Sequence, residues 1–170
     1  MEGALEGARI DALSARHDRS SFVSGSEPLD RYFRVQAGQD ARKNIAAAFV
    51  LVLSNGSIAG YYTLSATALR LGELPEKLTR RLPRYPLVPA TLLGRLAVDR
   101  RLQGKGCGRF LLADALYRAV ASEIASFAVV VDAKDEAARQ FYLRESFLPL
   151  PDQPTKLFRP MDDLAKLFKR

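Results

Sequence analysis

Hydrophobic and polar positions along the chain follow two patterns, compact apolar runs typical of strands and three- to four-residue spacings typical of helices. Runs at 46–53 and 58–66 flank Asn55-Gly56, a strong hairpin turn signal, and predict two antiparallel strands. A wholly apolar run at 127–131 predicts a strand that is covered on both faces. The remaining strands are predicted at 91–99, 147–150 and 156–161.

The helical spacings complete an α/β pattern. Ser26 is expected to cap a first helix that Pro28 enters in its first turn and that runs through Ala37. Further helices are predicted at 110–121, from Lys134 or Asp135 through Tyr142, and, as a short one among four prolines, around 75–81. Helices and strands in this order predict one mixed α/β sheet and a single domain over residues 1–170.

Composition limits the class of protein. Apolar residues make up 48% of the chain and charged residues 26%, which is ordinary for a globular domain. No apolar run is long enough for a membrane helix, and the acidic and basic residues near Met1 do not fit a signal peptide. One cysteine cannot form an internal disulfide. We therefore expect a soluble cytoplasmic domain without a membrane partner.

The net charge of +7 is concentrated in one stretch. Residues 80–109 contain eight basic residues and a single acid, Asp99. Such a segment is either a solvated basic surface or a polyanion site, which a nucleotide cofactor and a nucleic acid could share.

A glycine-rich loop, Gln103-Gly104-Lys105-Gly106-Cys107-Gly108, stands between a predicted strand and a predicted helix. Glycines allow a close backbone approach to a pyrophosphate, and the unpaired N–H groups at a helix N-terminus attract negative charge. Lys105 and Arg109 add full charges. The position after the third strand does not suit a Rossmann dinucleotide site, and no Gly-Lys-Ser/Thr closes the loop as in a Walker A motif. A flexible turn remains an alternative from the loop alone.

The pattern Gln103-x-x-Gly106-x-Gly108 resembles the pyrophosphate loop of GNAT acetyltransferases. More specifically, the chain resembles the GNAT toxins of bacterial type II toxin–antitoxin modules. The resemblance begins at about residue 22, and its matching segments follow one another in one order along the chain. The matching segments are 29–33, 60–65, 83–86, 93–99, 111–116, 131–134, 141–142 and 149–152. Ser146 departs from the pattern, since many relatives have glycine there, and is expected to alter a helix end.

This resemblance implies a GNAT fold, with a mixed, mostly antiparallel central sheet flanked by helices. It implies acetyl transfer from acetyl-CoA, without a metal, to the α-amino group of the amino acid on charged tRNA, which blocks translation. It also implies a homodimer and a ribbon-helix-helix antitoxin as partners. The residues that it assigns to acetyl-CoA are Leu96, Ala97, Val98, Gln103, Gly104, Lys105, Gly106, Cys107, Gly108, Arg109, Lys134 and Phe141.

Tyr142 is the candidate general acid, because the catalytic tyrosine of the family falls at this position and a phenol is protonated at pH 7. A backbone N–H near 96–98 is expected to stabilise the oxyanion. His17, the only histidine, precedes the expected core, and Cys107 has no histidine partner, so neither is expected to be catalytic. The missing base favours an α-amine, which is already partly neutral at pH 7, over lysine.

An RNA surface is the remaining prediction. Arg31 and Arg34 lie one turn apart on the first helix, and Tyr61, Tyr62 and Tyr85 either flank the acceptor end or pack in the core. The alternatives are a GNAT enzyme acting on a small amine or a protein N-terminus, and a non-catalytic nucleic-acid-binding module. The full set of RNA candidates is Arg31, Arg34, Arg80, Arg81, Arg84 and Arg95.

Overall fold

The computed structural model describes residues 2–169, and within them seven strands form one sheet with the order β1-β2-β3-β4-β5-β7-β6. The registered pairs β1–β2, β2–β3, β5–β7 and β6–β7 are antiparallel. The predicted α/β class with a mixed, mostly antiparallel sheet is confirmed. The strands are β1 Arg9–Ala12, β2 Ala47–Val52, β3 Ile58–Arg70, β4 Leu87–Val98, β5 Ala128–Asp132, β6 Leu148–Leu150 and β7 Gln153–Pro160.

The helices lie between these strands and at the ends of the described chain. No helix among residues 2–169 is both long and apolar enough to cross a membrane. A π-helical turn, Tyr32–Gln36, joins two of the helices, and 3₁₀ segments stand at Leu71–Glu73 and Arg100–Leu102. The α-helices are α1 Glu2–Leu5, α2 Glu27–Arg31, α3 Ala37–Arg42, α4 Glu76–Thr79, α5 Cys107–Ala121, α6 Glu136–Arg144 and α7 Met161–Leu167.

The predicted hairpin joins β2 and β3. Leu53 N–H donates to the Ser57 carbonyl at 2.9 Å, and Gly56 N–H donates to the Leu53 carbonyl at 2.8 Å. Gly56 has φ +87°, so the loop is a three-residue turn that ends in a left-handed residue rather than a two-residue Asn-Gly turn. The Asn55-Gly56 signal therefore predicted the hairpin correctly but did not predict the length of its loop.

Two local predictions need correction, and one strand was not predicted. Ser26 stands at the N-cap of α2, but its side chain makes no capping bond within the described residues. Instead the buried Asp30 accepts the Ser24 N–H at 3.0 Å, which fixes the entry of the chain into the helix. Met161 begins α7 rather than ending a strand. The edge strand β1 was not predicted, because its four residues, although they alternate polar and apolar, are too few to stand out as a strand pattern.

The chain divides into two compact units. Unit 1 contains the residues up to Ser65 and Leu93–Ala115, and unit 2 contains Ala66–Leu92 and the residues from Leu116 onward. In unit 1 an aromatic stack forms the core, with the Phe33 and Tyr61 rings parallel at 4.2 Å and Phe22 edge-on to Phe33 at 5.0 Å. The core of unit 2 is mainly aliphatic, and β5 lies within it with 128–131 buried, as predicted from its apolar run.

Candidate active site

β4 ends at Val98, and the 3₁₀ segment Arg100–Leu102 separates it from the glycine loop, whose last residues, Cys107 and Gly108, begin α5. Gly104 and Gly106 have φ +78° and +85°, and apart from the glycine itself and its chain neighbours no described heavy atom lies within 4 Å of a Cβ built on either. Only backbone conformation therefore demands glycine at these positions. The Phe110 N–H donates to the Gly106 carbonyl at 3.0 Å, which makes Gly106 the first residue to accept a helical bond. The N–H groups of the first turn of a helix have no intrahelical acceptor, so the loop is suited to an anion.

Asp99 anchors the start of this loop. Its side chain is 1% exposed and accepts the Arg101 N–H at 3.0 Å, the Arg101 Nε at 2.9 Å and the Val23 N–H at 3.3 Å. Burial opposes ionisation, but the hydrogen bonds from Arg101 and Val23 outweigh it and lower the pKa of Asp99. The sequence indicates Asp99 as the one acid of a basic stretch and the last residue of a predicted strand, but nothing in the pattern indicates its burial.

The side chain of Gln103 stabilises the start of the loop through two hydrogen bonds. Its Nε2 donates to the Ser24 carbonyl at 2.7 Å and to the Val98 carbonyl at 3.0 Å. Both amide hydrogens are used in these bonds, so the Gln103 side chain holds the start of the loop in place. The predicted contact of Gln103 with the cofactor stays a prediction.

The strand next to the loop is closely packed at Ala97. Ala97 is buried, whereas Leu96 and Val98, its neighbours on β4, are half-buried. A Cβ at Gly60 would lie 2.7 Å from both the Ala97 carbonyl oxygen and a methyl carbon of Leu111. Glycine at position 60 therefore allows β3 to approach the part of β4 that was predicted to bind the pantetheine arm.

His17 and Cys107, neither of which the sequence predicts to be catalytic, are both largely buried. The side chain of His17 is 7% exposed, its Nδ1 accepts the Ser14 N–H at 3.0 Å, and its Nε2 lies 3.3 Å from Asp11 Oδ2. Cys107 is buried at the start of α5, and burial raises the pKa of its thiol despite the positive charge of Lys105. That neither residue is catalytic stays a prediction.

Tyr142 lies in unit 2 on α6, whose first turn is capped by Asp135, which accepts the Ala138 N–H at 2.8 Å. The tyrosine is 7% exposed, and burial raises the pKa of its phenol well above the usual value. The proton therefore stays on the phenol at neutral pH. Phe141 is half-buried and meets the Tyr142 ring edge-on at 5.1 Å. Lys134 is exposed, and its ammonium lies 2.6 Å from Asp135 Oδ2.

Ser146 forms the helix end that holds Tyr142. Its φ is +68°, a conformation that favours glycine. The Ser146 N–H donates to the Leu143 carbonyl at 3.1 Å, and the Phe147 N–H donates to the Tyr142 carbonyl at 3.0 Å. With the Tyr142 and Phe147 rings in contact at 5.3 Å, this is a complete Schellman motif. Serine therefore keeps the helix end that glycine would give, at a cost in backbone strain.

The six arginines predicted to face RNA fall into two groups. Arg34 donates to the Phe22 carbonyl at 3.0 Å and lies 3.6 Å from Glu27, while the guanidinium carbon of Arg95 is 3.5 Å from the centroid of the Tyr32 ring. Arg34 and Arg95 therefore both have interaction partners within unit 1. The exposed members are Arg31 in unit 1 and Arg80, Arg81 and Arg84 in unit 2.

A polar cluster around Tyr32 was missed from the sequence. Tyr32 O–H donates to Asp40 at 2.8 Å, and Gln36 Nε2 donates to the other carboxylate oxygen at 2.8 Å. Burial and the hydrogen bond to Asp40 raise the pKa of Tyr32 to about 12. The same bonds, led by the one from Gln36, lower the pKa of Asp40. The π-helical turn brings these side chains together, and no spacing rule indicates it.

The structure shows which of Tyr61, Tyr62 and Tyr85 pack in the core and which is exposed. Tyr61 and Tyr62 are fully buried, and their hydroxyls donate to the Leu29 carbonyl at 2.8 Å and to Asp114 at 2.5 Å. Tyr85 is 69% exposed. Among residues 2–169 no group of three or more His, Cys, Asp or Glu side chains is placed to hold a metal ion.

Comparison with known proteins identifies the class. The sequence profile of the acetyltransferase (GNAT) family matches residues 11–147, and the chain belongs to this family. The GNAT fold expected from the glycine loop is thus confirmed.

Particular relatives narrow the comparison to acetylating toxins. The chain is 36% identical to the tRNA-acetylating toxin of Mycobacterium tuberculosis over 157 residues, which cover 91% of this chain and 93% of the relative. It is similar to the solved structure of AtaT complexed with acetyl-methionyl-tRNAfMet, with a TM-score of 0.88, 30% identity, and coverage of 95% of this chain and 99% of AtaT. A tyrosine-to-phenylalanine mutant of the toxin AtaT, bound to the C-terminus of the antitoxin AtaR and acetyl-CoA, gives a TM-score of 0.81, 27% identity, and coverage of 96% and 99%.

Proposed function

We propose that this protein is a toxin that transfers the acetyl group of acetyl-CoA to the α-amino group of the amino acid on charged tRNA, and so blocks translation. The observation that carries the proposal is its relationship to a tRNA-acetylating toxin over nearly the whole of both chains. The family profile extends through parts of both compact units, which supports a single functional domain.

The proposed donor site is the glycine loop and the strand before it. The left-handed glycines and the first turn of α5 receive the pyrophosphate, Lys105 and Arg109 offset its charge, and Leu96–Val98 of β4 pair with the pantetheine arm. Asp99 and Gln103 keep the loop in shape through the hydrogen bonds described above. Gly108, Cys107, Lys134 and Phe141 complete the proposed contacts.

The proposed reaction is a direct transfer. The amine nitrogen attacks the thioester carbonyl carbon, a backbone N–H of β4 stabilises the resulting oxyanion, and the carbon–sulfur bond breaks as the carbonyl re-forms. The Tyr142 phenol donates its proton to the departing sulfur, and the proton lost by the amine passes to water, from which the phenol is restored. Because burial raises its pKa, this phenol carries a proton throughout the neutral range.

An α-amine acceptor matches a site that uses no strong base. An α-amino group has a pKa of about 7.7 to 8.0, whereas that of lysine is about 10.4. The sole histidine has its Nδ1 occupied by a backbone N–H, and the Cys107 thiol is buried. Water therefore suffices to accept the proton of an α-amine that is already partly neutral.

The proposed RNA contacts are the exposed arginines Arg31, Arg80, Arg81 and Arg84. They would position the substrate by its phosphates without reading its sequence. We place the reaction in the cytoplasm, where charged tRNA is found. We further propose that the protein forms a homodimer and is neutralised by a ribbon-helix-helix antitoxin. The binding of a related toxin to the C-terminus of an antitoxin supports such a partner.

Expression of wild type and Tyr142→Phe in a bacterial host tests the proposal. Wild type should arrest growth and Tyr142→Phe should not, while purified Tyr142→Phe should still bind acetyl-CoA with nearly unchanged affinity. Tyr117→Phe is the matched control, since Tyr117 is 56% exposed and lies outside the proposed site. A fully toxic Tyr142→Phe variant would remove the acid role from this residue.

A further inference from the structure

An apolar pocket of about 300 Å³ opens on unit 2 where the segment before β4 meets the start of β5. Its walls include Leu82, Tyr85, Leu87 and Phe127. Nothing in the proposed acetyl transfer uses these side chains. Tyr85 is 69% exposed and Leu87 56% exposed, so the pocket continues into an open apolar surface.

Two features restrict the shape of the pocket. Pro83 and Pro89 line it, and the fixed φ of proline limits the freedom of its rim. The Phe127 N–H donates to the Pro89 carbonyl at 2.8 Å, which fixes the two walls against each other. A pocket with a fixed shape binds at a lower entropic cost than one that must be ordered by its ligand.

The lining offers little for hydrogen bonding. The pocket wall contains two residues with hydroxyl groups, Ser126 and Tyr85. The Ser126 Oγ already makes two hydrogen bonds, since it accepts from Thr91 Oγ1 at 2.9 Å and donates to the Ala128 carbonyl at 3.2 Å. The edges of nucleic-acid bases need free donors and acceptors when they are inserted into a pocket. Leucine- or phenylalanine-sized side chains need only apolar contact, and they fit this lining.

The charges at the rim are mainly positive. Arg81 directly precedes the lining residue Leu82, and Arg84 stands between Pro83 and Tyr85, so each lies one residue from the pocket wall. Both arginines and Arg80 are exposed, and Glu123, two residues before the lining residue Ala125, is an exposed acid near the other wall. Two-fold self-association through this patch would bring the same arginines of two copies together, which disfavours a second copy as the occupant.

We propose that this apolar pocket with its arginine rim binds a peptide segment of a partner protein that inserts apolar side chains and presents carboxylates to Arg80, Arg81 and Arg84. Carboxylates match the fork of an arginine in a bidentate way, and apolar anchors fill the pocket. If the partner is the antitoxin proposed above, a step that rests on the proposed function, its carboxylates would compete with tRNA phosphates for the same three arginines.

Fluorescence anisotropy with three labelled peptides of equal length tests the pocket on the full-length protein. The first has Leu and Phe on one helical face and Asp and Glu on the other, the second has Lys and Arg in place of the acids, and the third has Ser in place of the apolar residues. The first should bind at least about tenfold more tightly than the others. Leu87→Glu should weaken it by about tenfold or more, because a carboxylate would enter the apolar wall and face the carboxylates of the peptide.

Leu167→Glu is the matched control, since Leu167 is 57% exposed and does not line the pocket. It should bind the first peptide as wild type does, and thermal melts should show that both variants fold. Equal binding of the three peptides, no binding of the first, or an unchanged Leu87→Glu would overturn the proposal. Dimerisation of the wild-type protein that Leu87→Glu abolishes would also overturn it. Displacement of the first peptide by a single-stranded CCA oligonucleotide whose binding depends on Leu87 would overturn it as well. Acetylation of charged tRNA by wild type is measured separately, so failure of the pocket and failure of the proposed function remain distinguishable.

Discussion

Replacing Asp99 with asparagine removes one carboxylate oxygen from a buried network without changing its volume. Oδ1 accepts the Arg101 N–H and Nε, and Oδ2 accepts the Val23 N–H at 3.3 Å and Arg101 Nη2 at 3.3 Å. The amide nitrogen of asparagine cannot accept, so one main-chain N–H loses its partner. A buried donor without an acceptor costs about 1 to 3 kcal/mol. The side chain of Arg101 is 66% exposed, so water replaces its lost bonds and adds little to this value.

Urea unfolding measures this cost directly. We expect Asp99→Asn to lower the free energy of unfolding by about 1 to 3 kcal/mol and to weaken acetyl-CoA binding, because Asp99 caps the 3₁₀ segment that leads into the glycine loop. Asp18→Asn is the control: Asp18 accepts the Ser20 N–H at 3.0 Å but is exposed, and its replacement should have no measurable effect. Equal stability of Asp99→Asn and wild type would refute a net contribution from the network.

The pH dependence of the same pair gives an independent check. The pKa of Asp99 is lowered in the folded protein, so folding favours the ionised form. Its stabilisation is complete above the pKa of an unfolded aspartate, about 3.9, and is lost as the pH falls through the lower folded pKa. The stability difference between wild type and Asp99→Asn should thus be constant from neutral pH to about pH 5 and shrink below about pH 4. A difference that grows on acidification would contradict the assigned direction.

Three further predictions concern the loop, the helix end and the RNA surface. Gly106→Ala should weaken acetyl-CoA binding measured by calorimetry, because alanine is strained at φ +85°, whereas Gly72→Ala, in equally open space without a left-handed φ, should not. Ser146→Gly should raise the free energy of unfolding by about 1 kcal/mol by relieving φ +68°, and Ser146→Ala should give no such gain. Arg80→Glu combined with Arg81→Glu should reduce tRNA acetylation and flatten its salt dependence without lowering the melting temperature; unchanged rates at low and high salt would remove both residues from the RNA surface.

The sequence located most elements because their signals are local. Asn55-Gly56 marked the hairpin, the apolar run at 127–131 marked the buried strand β5, and the glycine loop marked the junction of β4 and α5. The strand β1 was not predicted, because it is short and half polar and exists through its pairing with β2. The paired residues nearest in sequence, Ala12 and Phe49, are 37 residues apart.

The sequence indicates the residue types of the candidate site but not the contacts that these residues make. Gln103 matched the loop pattern, yet its amide serves the Ser24 and Val98 carbonyls. The charge count treats Arg95 as one more free cation, whereas in the structure its guanidinium is stacked on the ring of Tyr32. Side-chain partners of this kind depend on long-range packing, and a charge count contains no information about them. Ser146 does lie at a helix end, but the expected alteration of that end is not seen, because serine adopts the left-handed φ that glycine would have there.

The central claim is acetyl transfer to charged tRNA with Tyr142 as the acid. The most direct measurement incubates purified protein with labelled acetyl-CoA and total charged tRNA, then hydrolyses the ester and identifies the labelled product. We predict an N-acetyl amino acid released from tRNA, formed by wild type and reduced by about 10² to 10⁴-fold with Tyr142→Phe. Label found only on uncharged RNA, on lysine side chains or on small amines, or an unchanged rate with Tyr142→Phe, would contradict the account.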